Sequence, residues 1–227
     1  MVWEIYLTDD VLGWLDRLLS TDPDSHRQVV YAVETLAEAG PNLGRPLVDR
    51  VKGSAIHNLK ELRPGSAGSP EIRVLFAFDP WRSAVLLLAG DKAGDWKGWY
   101  PTCRPPRRGA LRDLPEGTSR GGGHIVTHTR WSDIRDRHIA AAGPSEVEAG
   151  KSRLLAQVRA HRLAEIRKNR RLTQREVATA MGVTIGRISQ IESGDLSGIE
   201  VLDRYVAAIG GTLELVANFG EEQVKVG

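Results

Sequence analysis

The run LTQREVATAMGVTIGRISQIESGD, from Leu172 to Asp195, places hydrogen-bonding side chains where they can read DNA. Thr184 opens a predicted short helix whose outward positions, Thr184, Ile185, Gly186, Arg187, Ser189 and Gln190, are mostly small or hydrogen-bonding rather than apolar. A helix lying in the major groove needs such a face, because base edges there present donors and acceptors. By analogy with this motif, Thr184, Arg187 and Gln190 are the expected base or groove contacts. Gln174 opens the preceding helix, where it can pair with a phosphate or brace the reading helix. Arg175 and Lys168 are candidate phosphate-backbone contacts, with plain surface charge as the alternative.

The elements that must position these residues are legible around them. Thr173 followed three residues later by Glu176 is a capping box that opens a helix. Val177 and Met181 face inward, and Ala178 stands where two helices approach closely. Gly182 supplies a left-handed turn, Val183 fills the corner, and Ile188 and Ile191 anchor the second helix. Lys151–Arg171 reads as an amphipathic helix ahead of the motif, with Leu154, Leu155, Val158, Leu163 and Ile166 as its apolar set. Glu200–Ile209 reads as a further helix ended by Gly210-Gly211, with a strand, Thr212–Asn218, after it. A lone apolar strand has unsatisfied edges, so pairing with a second copy through residues 212–218 is expected, giving a two-fold homodimer on an inverted repeat. Residues 151–192 carry ten Lys and Arg against three Asp and Glu, although the whole chain is only +2. Charge concentrated in this way is the footprint of a surface that neutralises phosphates.

The first hundred residues are built differently. Val2–Leu7 reads as a strand, Asp9–Ser20 and Asp24–Ala39 as helices, and Ile56–Arg63, Glu71–Phe78 and Ala84–Asp91 as three strands. Asp22 or Asp24 can cap the second helix, and Gly40-Pro41 stops it. The order β-α-α-β-β-β predicts an α+β domain, a small antiparallel sheet with two helices on one face. Residues 101–123 then lose apolar periodicity and become rich in Pro, Arg and Gly, which is linker composition. The expected organisation is an α+β domain (1–100), a linker (101–123), an N-terminal segment (124–150) and an all-α helix-turn-helix domain with its C-terminal strand (151–227).

Several function classes fall away. No apolar run approaches the roughly 20 residues that span a bilayer, and Met1-Val2-Trp3-Glu4 lacks the start of a signal peptide. Cys103 is the single cysteine, and no Cys/His spacing suggests zinc. No Ser-His-Asp grouping and no phosphate-binding glycine loop is present. A cytoplasmic protein without cofactor, structural metal or membrane contact is expected.

The run from Arg153 to Asp195, with YVAAIGGTLELVANFG after it and HIVTHTRWSDIRDRH before it, resembles the antitoxins of the HigA/XRE type over about residues 125–227. The resemblance implies a dimer that binds operator DNA and neutralises a partner toxin. Leu59 to Tyr100, with its ELR strand end, RVLFAFDP hairpin, GDK turn and WY close, is similar to the RelE/HigB-like toxins, phage-derived HigB branch. Such toxins cleave mRNA in the ribosome, the RNA 2′-hydroxyl attacking the adjacent phosphate. That reaction needs cations around a phosphate as charge builds, and a group to move a proton. On this resemblance Arg63 and Arg73 stabilise the phosphate and transition state, Lys92 assists, and Tyr100 transfers a proton or stacks on a base. The alternative is that the arginines pair with Glu61 and Glu71 and that Trp96, Trp99 and Tyr100 are core. His57 is expected to be structural.

Toxin and antitoxin are normally separate chains, whereas here they are joined, with the Pro/Arg/Gly run where the toxin would continue. A reading-frame shift in a GC-rich gene would fuse neighbouring genes in this way. The implied protein is a DNA-binding autorepressor tethered to a ribosome-dependent endonuclease that it holds inactive in cis or in trans. A tether of about twenty residues sets an effective concentration near the millimolar range. The second reading is a transcriptional regulator whose toxin-like half is inactive, and the third, a ligand sensor, lacks a pocket signature.

Overall fold

The computed structural model describes residues 2–52, 54, 56, 58–65, 71–80, 82–92, 128–196, 198–220 and 222–226. The chain forms two compact units, Met1–Leu154 and Leu155–Gly227.

Among the described residues, the first unit is organised on a six-stranded sheet: β1 (Glu4–Thr8), β2 (Val48–Arg50), β3 (Lys60–Leu62), β4 (Ile72–Phe78), β5 (Ser83–Asp91) and β6 (His128–Arg130), in the order β2-β3-β4-β5-β1-β6. Between β1 and β2 the chain makes a helical hairpin, α1 (Asp9–Thr21) and α2 (Pro23–Ala39). Thr8 caps α1 by accepting from the Val11 N–H. Asp22 caps α2 by accepting from the Ser25 N–H at 3.1 Å, and Pro23 follows in the first turn, where its missing N–H costs nothing. α2 buries Val29, Val30, Val33 and Leu36, and β4 and β5 are buried over most of their length.

Within β1 to β5, two features differ from the sequence expectation, and β6 is a further strand that was not expected. A short strand, β2, precedes the three that were expected; its Val-Asp-Arg carries too little periodicity to be read from sequence. The sheet is also mixed rather than purely antiparallel. The helical hairpin returns the chain, and the β2-β3-β4-β5 meander then brings β5 beside β1 running in the same direction, Ile5 opposite Ala84 and Leu7 opposite Leu86.

Residues 128–154 complete this unit. β6 pairs antiparallel with the other side of β1, Tyr6 opposite Arg130 and Thr8 opposite His128. α3 (Trp131–Ala142) packs on α2 and β1, and α4 (Pro144–Asn169) begins after Gly143. A helix was expected to start at Lys151; it starts seven residues earlier, with Pro144 in its first turn.

The second unit contains the rest of α4, then α5 (Gln174–Met181), α6 (Ile185–Glu192), α7 (Ile199–Ala208) and a hairpin, β7 (Val216–Phe219) with β8 (Glu222–Lys225). Its core is Val177, Ala178, Met181, Ile188, Ile191, Tyr205 and Ile209, with Leu163 and Val183 packed against it. Ile166, expected on the apolar face of α4, is exposed. The late strand is not alone as expected: it begins at Val216 and has β8 as its partner, because Gly220 at positive φ lets the chain reverse.

Candidate nucleic-acid interface and cation cluster

Cross-strand register builds the cluster in the first unit. Asp49 on β2 stands directly opposite Glu61 on β3, and Glu61 stands opposite Leu75, two residues from Arg73 on β4. Like charges facing across a ladder repel, and arginines resolve the repulsion. Arg63 reaches both carboxylates, Nη2 to Asp49 Oδ2 at 3.0 Å and Nε to Glu61 Oε1 at 3.4 Å. Arg73 Nε lies 2.6 Å from Glu61 Oε1, its other face meeting Glu71. Lys92 Nζ lies 3.9 Å from the same oxygen, and Arg45 contacts Asp49 at 3.0 Å. Burial pushes the Asp49 carboxyl up, but hydrogen bonds from Arg45 and the Arg50 N–H, with the Arg63 charge, hold it below its ordinary range.

Three of the four candidate catalytic residues, Arg63, Arg73 and Lys92, are therefore brought together around the buried Glu61. Their access differs. The Arg63 side chain is 35% exposed, that of Arg73 14%, and that of Lys92 2%. Arg63, with the exposed Arg45 beside it, is the part of the cluster that an anion from solvent would meet. Tyr100 lies outside the described residues, as do His57, Trp96, Trp99 and residues 101–123. Arg45 and Asp49 were missed because β2 was missed; Glu61 was named only as a pairing partner.

In the second unit the helix-turn-helix forms as its caps dictate. Thr173 accepts from the Glu176 N–H while Glu176 accepts from the Thr173 N–H at 2.7 Å, so each satisfies a helix-end donor. Gly182 is left-handed, φ 64°, and turns the chain into α6. Thr184 caps α6 by accepting from the Arg187 N–H at 3.1 Å. Thr184, Gln190 and Arg175 are exposed and Arg187 is partly so. Arg187 donates to Gln190 Oε1 at 3.2 Å and pairs with Asp195.

Gln174 takes a bracing position: its Nε2 donates to Glu192 Oε2 at 2.9 Å, tying the start of α5 to the end of α6. Glu192 is the hub of a network that sequence reasoning missed. Arg167 grips it with Nε to Oε1 at 2.5 Å and Nη2 to Oε2 at 2.9 Å, and the Tyr205 hydroxyl donates to Oε1 at 2.6 Å. Burial pushes the Glu192 carboxyl up, but the donors Arg167, Tyr205 and Gln174 bring it below its ordinary range. Burial and the carboxylate push the Tyr205 hydroxyl well above its ordinary value. α6 is thus held by a carboxylate on which four N–H and O–H groups converge. Only a charged residue closing a short helix, Glu192, with an Arg two elements earlier, hinted at this.

A third set of polar contacts joins residues 128–154 to α1 and α2 within the first unit. Trp131 is buried, and its Nε1 donates to Glu34 Oε1 at 2.6 Å. Arg135 forks onto the same carboxylate, at 2.9 and 2.7 Å. Arg137 pairs with Asp16 at 2.6 Å and Lys151 with Glu38 at 3.0 Å. His26 Nε2 and His138 Nδ1 are 2.9 Å apart, both rings buried, with Trp131 stacked on His138. A Cβ at Gly150 would stand 2.3 Å from the Tyr31 ring, so the close approach of α4 requires glycine there.

Among the described residues no group of three or more His, Cys, Asp or Glu is arranged to hold a metal ion, and no helix is long and apolar enough to cross a membrane.

Comparison with known proteins assigns both units. The family described as phage-derived protein Gp49-like matches residues 16–103, and the helix-turn-helix family matches residues 163–216. The chain is 53% identical over 90 residues to the candidate toxin HigB2 of Mycobacterium tuberculosis, which covers 40% of this chain and 43% of that protein. It is 46% identical over 101 residues to the candidate antitoxin HigA3 of the same organism, 42% of this chain and 93% of that protein. A solved structure of DNA-bound antitoxin HigA3 is 49% identical, covers 28% of this chain and 86% of that one, and superposes with a TM-score of 0.27. The chain thus spans less than half the length of HigB2 and nearly all of HigA3. It belongs to the HigA antitoxin family and carries, ahead of the helix-turn-helix domain in the same polypeptide, a Gp49-like domain of the HigB toxin type.

Proposed function

We propose that this fused toxin–antitoxin chain represses its own operator through the helix-turn-helix unit while residues 128–154 hold the toxin domain inactive in cis. The observation that carries the reading is the docking of those residues: β6 extends the sheet at β1, Trp131, Arg135 and His138 anchor α3 on α2, and Arg137 pairs with Asp16 of α1. Burial of a tryptophan against a shared carboxylate is the kind of anchor that dominates binding at protein interfaces. In the toxin domain, Arg63 meets the scissile phosphate of a ribosome-bound mRNA, Arg73 and Lys92 reinforce the positive field, and Tyr100 moves the proton or stacks on a base. The inverted-repeat operator is contacted by Thr184, Arg187 and Gln190, with Arg175 on the backbone, in a protein acting in the cytoplasm. Homodimerisation through residues 212–218 sets the spacing of the two reading helices.

Release of the docked segment tests this reading. Full-length Trp131→Ala/Arg135→Ala, expressed in cells, is expected to arrest growth and translation. The same variant carrying Arg63→Ala/Arg73→Ala is not. The second reading, a regulator with an inactive toxin half, is favoured by the pairing of Arg73 between Glu61 and Glu71. Normal growth with a folded release variant establishes that reading instead.

A further inference from the structure

Ile185 is the first residue of α6, and its side chain is left 43% exposed. The inward contacts of α6 are made by Ile188 and Ile191, and Ile185 is not part of the core cluster. It follows the cap Thr184, so it stands at the end of the helix whose residues meet base edges first in this motif. Gly186, beside it, is equally unexplained by packing. A Cβ built there meets only Thr184 Oγ1, at 3.8 Å, and its backbone is not left-handed. Glycine inside a helix weakens it relative to alanine. The position therefore gives up helix stability and leaves an open notch on the outward face next to an exposed isoleucine.

Thr184, Arg187 and Gln190 on this helix carry groups that match the polar features of base edges. Ile185 has none, and among the four bases the major groove offers one apolar feature, the C5 methyl of thymine. We infer that Ile185 determines specificity by packing on a thymine methyl of the operator, Gly186 letting the helix backbone come close enough for that contact. The inference rests on the DNA-reading function proposed above.

The test uses the full chain and a duplex enriched by it from a random-sequence pool. Each thymine is replaced singly by deoxyuridine, which removes the methyl group alone. The unaltered chain is expected to lose affinity roughly fourfold at one thymine position, the worth of one buried methyl group. Ile185→Ala binds the thymine duplex more weakly and shows no further loss on deoxyuridine at that position. Gly186→Ala raises the thermal midpoint while weakening binding to the same duplex. A chain indifferent to every deoxyuridine overturns the contact while leaving specific binding intact, as does a penalty that persists in Ile185→Ala. Failure to enrich any sequence overturns the DNA-reading function and this inference with it. The deoxyuridine scan on the unaltered chain is decisive even where a variant folds poorly.

Discussion

At the scale of single residues, buried carboxylates organise both functional regions. Glu61 gathers Arg63, Arg73 and Lys92, and Glu192 gathers Arg167, Gln174 and Tyr205. Removing one member of such a group leaves a buried charge without compensation. Glu192→Ala is expected to destabilise the helix-turn-helix unit by about 3–5 kcal/mol, measured by chemical denaturation. The folded state holds the Glu192 carboxyl below its ordinary value. Its contribution is therefore complete above the unfolded value near pH ~4.3 and is lost as pH falls through the lower folded value. Arg187 has a different task. It is tied to Asp195 and Gln190 on the surface, so it is held in place without being buried. Arg187→Ala is expected to weaken operator binding by about 1–3 kcal/mol in a gel-shift titration while leaving the fold intact.

At the scale of elements, the contact of α3 with α2 combines two buried imidazoles with a tryptophan. Burial, with the charges of His138 and Arg137, lowers His26 to about 4 against the opposing pull of Asp16, and burial lowers His138 in the same direction. The folded form therefore refuses a proton that the unfolded chain accepts below about pH 6.5. Stability is full above that pH and declines as pH falls from about 6.5 towards 4, with a slope of up to about 1.4 kcal/mol per pH unit from His26. Urea denaturation of the full chain at stepped pH checks this, and His26→Gln is expected to flatten the profile over that window. The sequence announced α1, α2, α5 and α6 through caps and periodicity. It did not announce that α3 would find α2, because Trp131, Arg135 and His138 find their partners, Glu34 and His26, about a hundred residues away.

At the scale of the whole molecule, the hairpin β7–β8 leaves apolar side chains exposed on both faces: Phe219 and Val224 share one face by register, with Val226 just beyond β8, and Val216 stands on the other. Neighbouring exposed apolar side chains of this kind mark a surface that another molecule covers, in keeping with the proposed homodimer. Val216→Lys/Phe219→Lys is expected to shift the chain to monomer in sedimentation and to weaken binding to an inverted repeat by roughly 10²-fold, since the two half-sites are then no longer bound together. Binding to a single half-site changes little. An unchanged mass would place the dimer contact elsewhere.

Local chemistry was determined by the sequence itself. Capping boxes, turn glycines and helical spacing are interactions among residues a few positions apart, so Thr173 with Glu176, Gly182, and Ile188 with Ile191 were legible before any fold was known. The same holds for the concentration of basic residues over 151–192, whereas the cap of α2 lies open between Asp22 and Asp24 in the sequence and falls to Asp22 in the structure. Tertiary structure alone decided the rest. The parallel pairing of β1 with β5, the meeting of Asp49, Glu61, Arg63 and Arg73, and the bracing of α6 through Glu192 each depend on register between distant segments. So does the docking of residues 128–154 on the toxin domain, since a buried polar group finds its partner in space and chain order carries no record of that partner.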